Sequence, residues 1–275
     1  MSDEASRSGF GTRAIRAATH GPMVRQGASA VPIYQAAAFH AEDLDDLADI
    51  LAFAKPGFSY SRIENPTASA MADAFAELHG AEAGFAFGSG MAVIHAVILS
   101  LVGAGDRIVC TRAVYGSTRA LYSRVLGRLG VEVVYVDPID HDAVEAALAE
   151  APARVLYLET IANPTIEVAD LERLAELAHR RGATVVVDNT FASPYLCRPI
   201  ELGADLVLES ATKWLGGHSD VIAGVVAGRR GLIEAVRTVA VDTGGIVSPF
   251  SAFLVLRGMQ TLHVRMDRHT ASAQG

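Results

Sequence analysis

Cysteine is scarce in this chain. Cys110 and Cys197 are the only two in 275 residues, which excludes a disulfide framework and a thiolate metal cluster. Positive charge is also short: 23 lysines and arginines face 31 aspartates and glutamates, a net −8. With a pI near 5.6, that balance argues against a general nucleic-acid or anionic-membrane binder and leaves room only for a local anion site. Long apolar runs are missing. The longest, Met91 to Val102, is interrupted by His95 and Ser100 and falls short of the ~20 residues a membrane helix needs. The N-terminal MSDEASRSGF is acidic and has no apolar centre, so it does not read as a secretory signal. No internal repeat or low-complexity tract stands out. These absences point to a soluble protein of a reducing compartment, the cytoplasm.

What is present is a substantial apolar complement, 51% hydrophobic against 20% charged. It is enough for one large α/β domain or two ordinary ones and excludes overall disorder. Residues 1–40 show little periodicity and read as an arm or irregular segment. Residues 42–54 read as a helix with acids in its first turn. From residue 66 a regular alternation begins. Asn65-Pro66 opens a helix ending at Gly80, with Pro at its start and Gly past its end. Strands are predicted at 84–87, 106–110, 131–136, 153–159, 183–188, 204–210 and 220–228. Helices lie between them, including one with Leu121, Val125, Leu126 and Leu129 on a stripe. Another carries Leu171, Leu174, Ala175 and Ala178 at i, i+3, i+4, i+7. A long helical pattern covers 249–270. The strands are nearly continuous apolar and β-branched runs, the pattern of strands buried on both faces of a mainly parallel sheet. The expected fold is a three-layer α/β domain with right-handed crossovers.

In open α/β sheets, ligands bind beyond the carboxyl ends of the strands. Those ends here carry Gly88-Ser89-Gly90, then Glu159 with Asn163 close behind, then Asp188-Asn189-Thr190, then Ser210-Ala211-Thr212-Lys213. The glycine turn leads straight into a helix, so its backbone amides and the positive helix end form a phosphate cradle. A dinucleotide reading fails, because G-S-G-M-A-V lacks the third glycine of the fingerprint and Asp106 begins a strand instead of ending one. Lys213 follows a buried-type strand within SATKWLGGHSD. A lysine in such a setting can form a Schiff base with a carbonyl. A pyridinium cofactor also needs a carboxylate against its ring nitrogen, and Asp188 is placed for that. Its phosphate would take Ser210, Thr212 and the amides of Gly90 and Met91. Taken singly, Lys213 reads as surface charge and Asp188 as a turn cap. Together they fit pyridoxal 5'-phosphate. His218 and Asp220 do not form a catalytic triad, since residues two apart on one turn cannot converge.

Seven stretches carry a resemblance: YSRIENPT (60–67), GSGMA (88–92), VYGST (114–118), ETIANPT (159–165), VDNTFASP (187–194), SATKWLGGHSDVIAG (210–224) and SPFSAFLVLRGMQTLHVRM (248–266). In this order they resemble the Cys/Met-metabolism family of pyridoxal-phosphate enzymes, a branch of the aspartate-aminotransferase fold. That family includes cystathionine γ-synthase, cystathionine γ-lyase, methionine γ-lyase and the O-acyl-homoserine sulfhydrylases. The resemblance implies γ-elimination or γ-replacement on a small amino-acid substrate, with Lys213 as the Schiff-base and proton-transfer lysine. It makes Asp188 the partner of the ring nitrogen and Tyr115 the aromatic stacked on the ring, assisting at the leaving group. Gly90, Met91, Ser210 and Thr212 become the phosphate cup, and Glu159 and Asn163 line the cofactor pocket. Tyr60 and Arg62 match residues given to a neighbouring subunit's phosphate, which implies a homo-oligomer, dimer or tetramer, with shared sites.

Two departures accompany the resemblance. Ser117 stands where methionine γ-lyases carry cysteine and cystathionine enzymes glycine. The family also continues into a smaller C-terminal domain with the arginine that binds the substrate carboxylate, whereas this sequence stops at Gly275. The expected organisation is therefore an N-terminal arm and helix over 1–65, a cofactor-binding domain over 66–248, and a linker helix over 249–275 towards an absent domain. The rival to an active enzyme is a catalytically incomplete fragment that binds cofactor or assembles into oligomers.

Overall fold

The computed structural model describes residues 9–19, 28–52 and 54–275. Among these residues seven strands form one sheet: β1 Ala83–Phe87, β2 Arg107–Thr111, β3 Glu132–Val136, β4 Val155–Glu159, β5 Thr184–Asp188, β6 Leu206–Glu209 and β7 Gly224–Gly228. Their order is β1-β7-β6-β5-β4-β2-β3. The five strands from β6 to β3 run parallel, while β7 is antiparallel to both β1 and β6. Every residue of β2, β4, β6 and β7 is buried, which is why the sequence shows these segments as unbroken apolar runs.

Helices cover both faces. On one face, Pro66–His79 and Pro249–Met259 pack with Phe10–Thr19 against Val207, Val225 and Ala227. The helices His141–Glu150 and Leu171–Arg180 extend that layer over Leu156, Leu158, Val185 and Val187. On the other face, Gly90–Leu101 and Arg230–Thr243 cover Val155, Tyr157, Val186, Leu208 and Val226. Asn65 caps Pro66–His79 by accepting from the Thr67 amide at 2.9 Å, and Gly80 closes it at φ 68°, a left-handed conformation suited to glycine.

Four expectations are corrected. Residues 10–19 are not irregular; they form a helix with Ala14, Ala17 and Ala18 buried. Its stripe of small residues lets it lie close on the core without the bulky periodicity that marks most amphipathic helices. The run over 121–129 is not one helix. It is Gly116–Arg124 followed by a 3₁₀ turn Leu126–Leu129. Gly127 and Gly130 weaken a longer helix, and of the expected stripe Leu126 is fully buried while Val125 and Leu129 are exposed. The 249–270 pattern is two helices, Pro249–Met259 and Leu262–Gln274, divided at Gln260-Thr261. The last strand begins at Gly224 and not at 220; Val221 and Ile222 before it line a cleft. The helix expected over 42–54 spans Leu44–Leu51. Residues 1–8 and 20–27 of the expected arm lie outside the described residues, as does residue 53.

Candidate active site

The strand ends open into a cleft of about 940 Å³. Because side chains alternate along a strand, the register that pairs Tyr157 with Val186 and Glu159 with Asp188 puts Tyr157, Glu159 and Asp188 on the face covered by Gly90–Leu101. Nine of the residues singled out from sequence line this cleft together: Gly90, Met91, Tyr115, Glu159, Asn163, Asp188, Ser210, Thr212 and Lys213. Tyr60 and Arg62 do not. Tyr60 is bridged to Ala38. The Arg62 guanidinium lies 5.6 Å from the Tyr60 ring centre and donates to the Val241 carbonyl at 2.6 Å.

The anion cradle is built by close approach. Ser89 caps the helix, its hydroxyl accepting from the Ala92 amide at 3.1 Å. The first-turn amides of Gly90 and Met91 have no acceptor within their own helix. A methyl group at Gly90 would sit 2.8 Å from Ser210 Cβ, so glycine is what lets Ser210 face those amides. The Thr212 hydroxyl is already engaged: it donates to the Ala223 carbonyl at 3.2 Å and accepts from the Ala223 amide at 3.1 Å.

Asp188 is braced from its own turn. Oδ1 accepts from the Thr190 amide at 3.0 Å and from its hydroxyl at 2.5 Å, while Oδ2 accepts from Tyr157 at 3.4 Å. Thr190 in turn accepts from the Ser210 amide at 2.8 Å, which links the carboxylate to the cradle. Burial raises the Asp188 carboxyl above its usual range, and the Thr190 and Tyr157 hydrogen bonds oppose that rise. Glu159 lines the cleft and is held by two backbone amides. Oε1 accepts from the Tyr115 amide at 2.6 Å and Oε2 from the Asn163 amide at 3.1 Å. Both oxygens thus hold the two segments that present Tyr115 and Asn163. Burial, reinforced by the Asp188 charge, pushes its carboxyl up to about 7.

Lys213 is exposed to the cleft and follows the tight turn after β6. Tyr115 precedes the helix Gly116–Arg124 and is 47% exposed. His218 donates from Nδ1 to the Gly216 carbonyl at 2.8 Å and does not line the cleft, whereas Asp220 does. No group of three histidines, cysteines or carboxylates among the described residues is placed to hold a metal ion.

The model of the family described as Cys/Met metabolism PLP-dependent enzyme matches residues 11–275. The chain belongs to that family. Curated relatives include the L-methionine gamma-lyase of Pseudomonas putida, 44% identical over 97% of this chain and 67% of that protein. The cystathionine gamma-lyase of Bacillus subtilis is 42% identical over 88% of this chain and 62% of its own length. Among solved structures, metB from Corynebacterium glutamicum superposes with a TM-score of 0.91 at 38% identity, covering 98% of this chain and 68% of that one. The chain thus spans about two thirds of the length of the relatives it matches. Family membership makes pyridoxal phosphate the cofactor, and the cleft fits it: the Gly90–Ser210 approach forms an anion cradle, a lysine opens on the same space, and a braced carboxylate faces it.

Sequence reasoning passed over Tyr157 and the apolar wall formed by Ile161, Phe191, Trp214 and Ile222. The signal for Tyr157 was present: a hydroxyl in a buried strand, two residues before Glu159, needs a polar partner on that face. Among the described residues, no helix is long and apolar enough to cross a membrane.

Proposed function

We propose that this chain carries the cofactor site of a cytoplasmic enzyme acting on sulfur amino acids or O-acyl-homoserine, by loss or replacement of the γ-substituent. The observation that carries the reading is Lys213, open to the same cleft as the braced Asp188 and the Gly90–Ser210 cradle. When bound, pyridoxal phosphate supplies an electron-accepting ring that stabilises negative charge at the substrate Cα. Asp188 holds the ring nitrogen protonated by charge attraction. Gly90, Met91, Ser210 and Thr212 take the phosphate; Thr212 turns its proton from Ala223 to do so. The Tyr115 ring is positioned for stacking by the bond from its amide to Glu159, and Asn163 is held at the same wall by the other oxygen. The Lys213 amine moves protons at Cα and then Cβ. Departure of the γ-group as a thiol or carboxylate, followed by protonation and by hydrolysis to ammonia and a 2-oxo acid, would complete an elimination; addition of a thiol at the vacated carbon would complete a transfer. Tyr60 and Arg62, outside the cleft of their own chain, reach the phosphate of a second subunit in this reading.

The relatives' greater length favours a second reading, in which these residues bind cofactor without turning substrate over. One experiment addresses both. Lys55 is the only other lysine in the chain, and it is ion-paired to Asp46. Borohydride reduction in the presence of pyridoxal phosphate, followed by peptide mapping, should label Lys213. A label confined to Lys55 would falsify the assignment. Release of a 2-oxo acid from methionine or cystathionine by the same preparation separates turnover from binding alone.

A further inference from the structure

The turn that carries Lys213 is short and tightly accounted for. The Lys213 amide donates to the Ser210 carbonyl at 3.0 Å, and the Lys213 carbonyl accepts from the Gly217 amide at 2.8 Å. The Gly216 carbonyl accepts from His218. The carbonyl directly after the lysine, that of Trp214, takes its partner from elsewhere in the chain: Arg265, on the helix Leu262–Gln274, donates to it from Nη1 at 2.6 Å. The same guanidinium donates from Nη2 to the Gly258 carbonyl at 2.7 Å and from Nε to the Thr261 hydroxyl at 3.1 Å.

Two glycines mark how closely these parts meet. A methyl group at Gly217, whose φ is +77°, would overlap the guanidinium, and one at Gly258 would overlap the carbonyls of Leu215 and Gly216. The Trp214 side chain is fixed as well. Its Nε1 donates to the Phe191 carbonyl at 2.9 Å, and its ring lies 4.7 Å from that of His269 on the same helix. The lysine turn is therefore held between the helix Pro249–Met259 and Arg265. Lys213 has no comparable constraint of its own, since its side chain is exposed to the cleft; its direction is inherited from this backbone.

We infer that Arg265 is a positioning residue for Lys213: clamped on the Trp214 carbonyl, its planar guanidinium fixes the direction in which the lysine enters the cleft. The inference rests on Lys213 being the cofactor lysine. Arginine suits the task and lysine does not, because spanning two carbonyls and a hydroxyl needs a fork of donors in one plane. A displacement of about 1 Å at a reacting group costs about 100-fold in rate.

The test uses the full 275-residue chain, stripped of cofactor and mixed with pyridoxal phosphate, with timed borohydride quenching and quantification of label on Lys213 and Lys55. In the parent, Lys213 should be captured far faster than Lys55. In Arg265→Ala, capture at Lys213 should slow about 100-fold while Lys55 is unchanged. Arg265→Lys should recover less than a tenth of that loss. Millimolar methylguanidine should restore fast capture to the alanine variant, and methylamine should not. A purely stabilising role would lower the unfolding midpoint and the number of sites but leave the rate per folded site unmoved. Where the alanine variant does not fold, Arg265→Lys decides the matter on the same ratio. Capture at Lys213 within about twofold of the parent in a folded variant overturns the inference. Absence of label on Lys213 in the parent overturns the cofactor assignment itself, a separately visible outcome.

Discussion

Replacing Glu159 by glutamine should remove a slope from the pH dependence of stability. Glu159 is 7% exposed. Burial first and the Asp188 charge second raise its carboxyl from the usual 4.5 to about 7, against the pull of the Tyr115 and Asn163 amides. Across that interval the folded chain keeps a proton that the unfolded chain has released. The resulting stabilisation is complete below pH 4.5, declines as pH rises, and is gone once pH passes about 7. At about 1.36 kcal/mol for each unit of separation, the loss amounts to ~3 kcal/mol. Glutamine does not ionise, so the variant lacks this decline. It also offers one acceptor oxygen and an NH₂ where two backbone amides need acceptors, which costs about 1–3 kcal/mol at every pH. The two effects separate cleanly. The variant should be the weaker protein near pH ~5, and the gap should move by ~2.5 kcal/mol in its favour by pH ~8. Glu209 is also raised by burial, but it is present in both proteins and cancels in the difference; Asp188, whose charge is coupled to Glu159, does not, so the same pair of curves is taken in an Asp188→Asn background. Urea unfolding at fixed protein concentration, repeated across this range, gives the two curves. Parallel curves would refute the assignment of a buried, late-ionising carboxyl at Glu159.

Asp188→Asn keeps an oxygen for Thr190 and an amide that can meet Tyr157, so the unfolding midpoint should barely move and cofactor should stay bound. Exchange of substrate Cα deuterium should slow ~100-fold, as for loss of a key electrostatic stabiliser; near-parent exchange sinks the catalytic role. Gly90→Ala places a methyl 2.8 Å from Ser210 Cβ and should weaken inorganic phosphate binding at least ~10-fold, with ~1–3 kcal/mol lost from stability; calorimetric titration with phosphate checks this. Mixing Arg62→Ala chains with Lys213→Ala chains should restore a fraction of tight cofactor sites. An affinity that is only the average of the two variants would rule out a phosphate contact across subunits.

The strands were legible because burial on both faces leaves short apolar, β-branched runs bounded by turn residues, and their ends gave eight of the nine cleft residues; Tyr115 came with the family resemblance. The direction of β7 was not legible. It depends on how the Lys213 turn sends the chain back along the sheet, and an apolar run such as GVVAG reads alike in either direction. The break at Gln260-Thr261 was hidden because apolar periodicity continues across it from Met259 to Leu262. Arg265 left no trace, since its acceptors are backbone carbonyls, which every residue possesses. Glu159 was placed correctly at a strand end, but its role required seeing that two loops distant in sequence both turn an amide towards it.

The position of β7 bears on how the chain comes into being. Among the described residues β1 has no sheet neighbour except β7, and the two lie roughly 140 residues apart, a separation whose loop closure slows folding. Until β7 is in place, β1 and the outer edge of β6 have no strand between them to pair with. Such edges are templates for mispairing with other chains. Only when β7 slides between them does Gly224 seat against the Ser89 carbonyl, at a spacing that excludes even a methyl group. The phosphate cradle and the lysine turn flank that last insertion. A chain ending before Gly224 would lack the strand that joins β1 to β6, and with it the close contact on the Ser89 carbonyl beside the cradle.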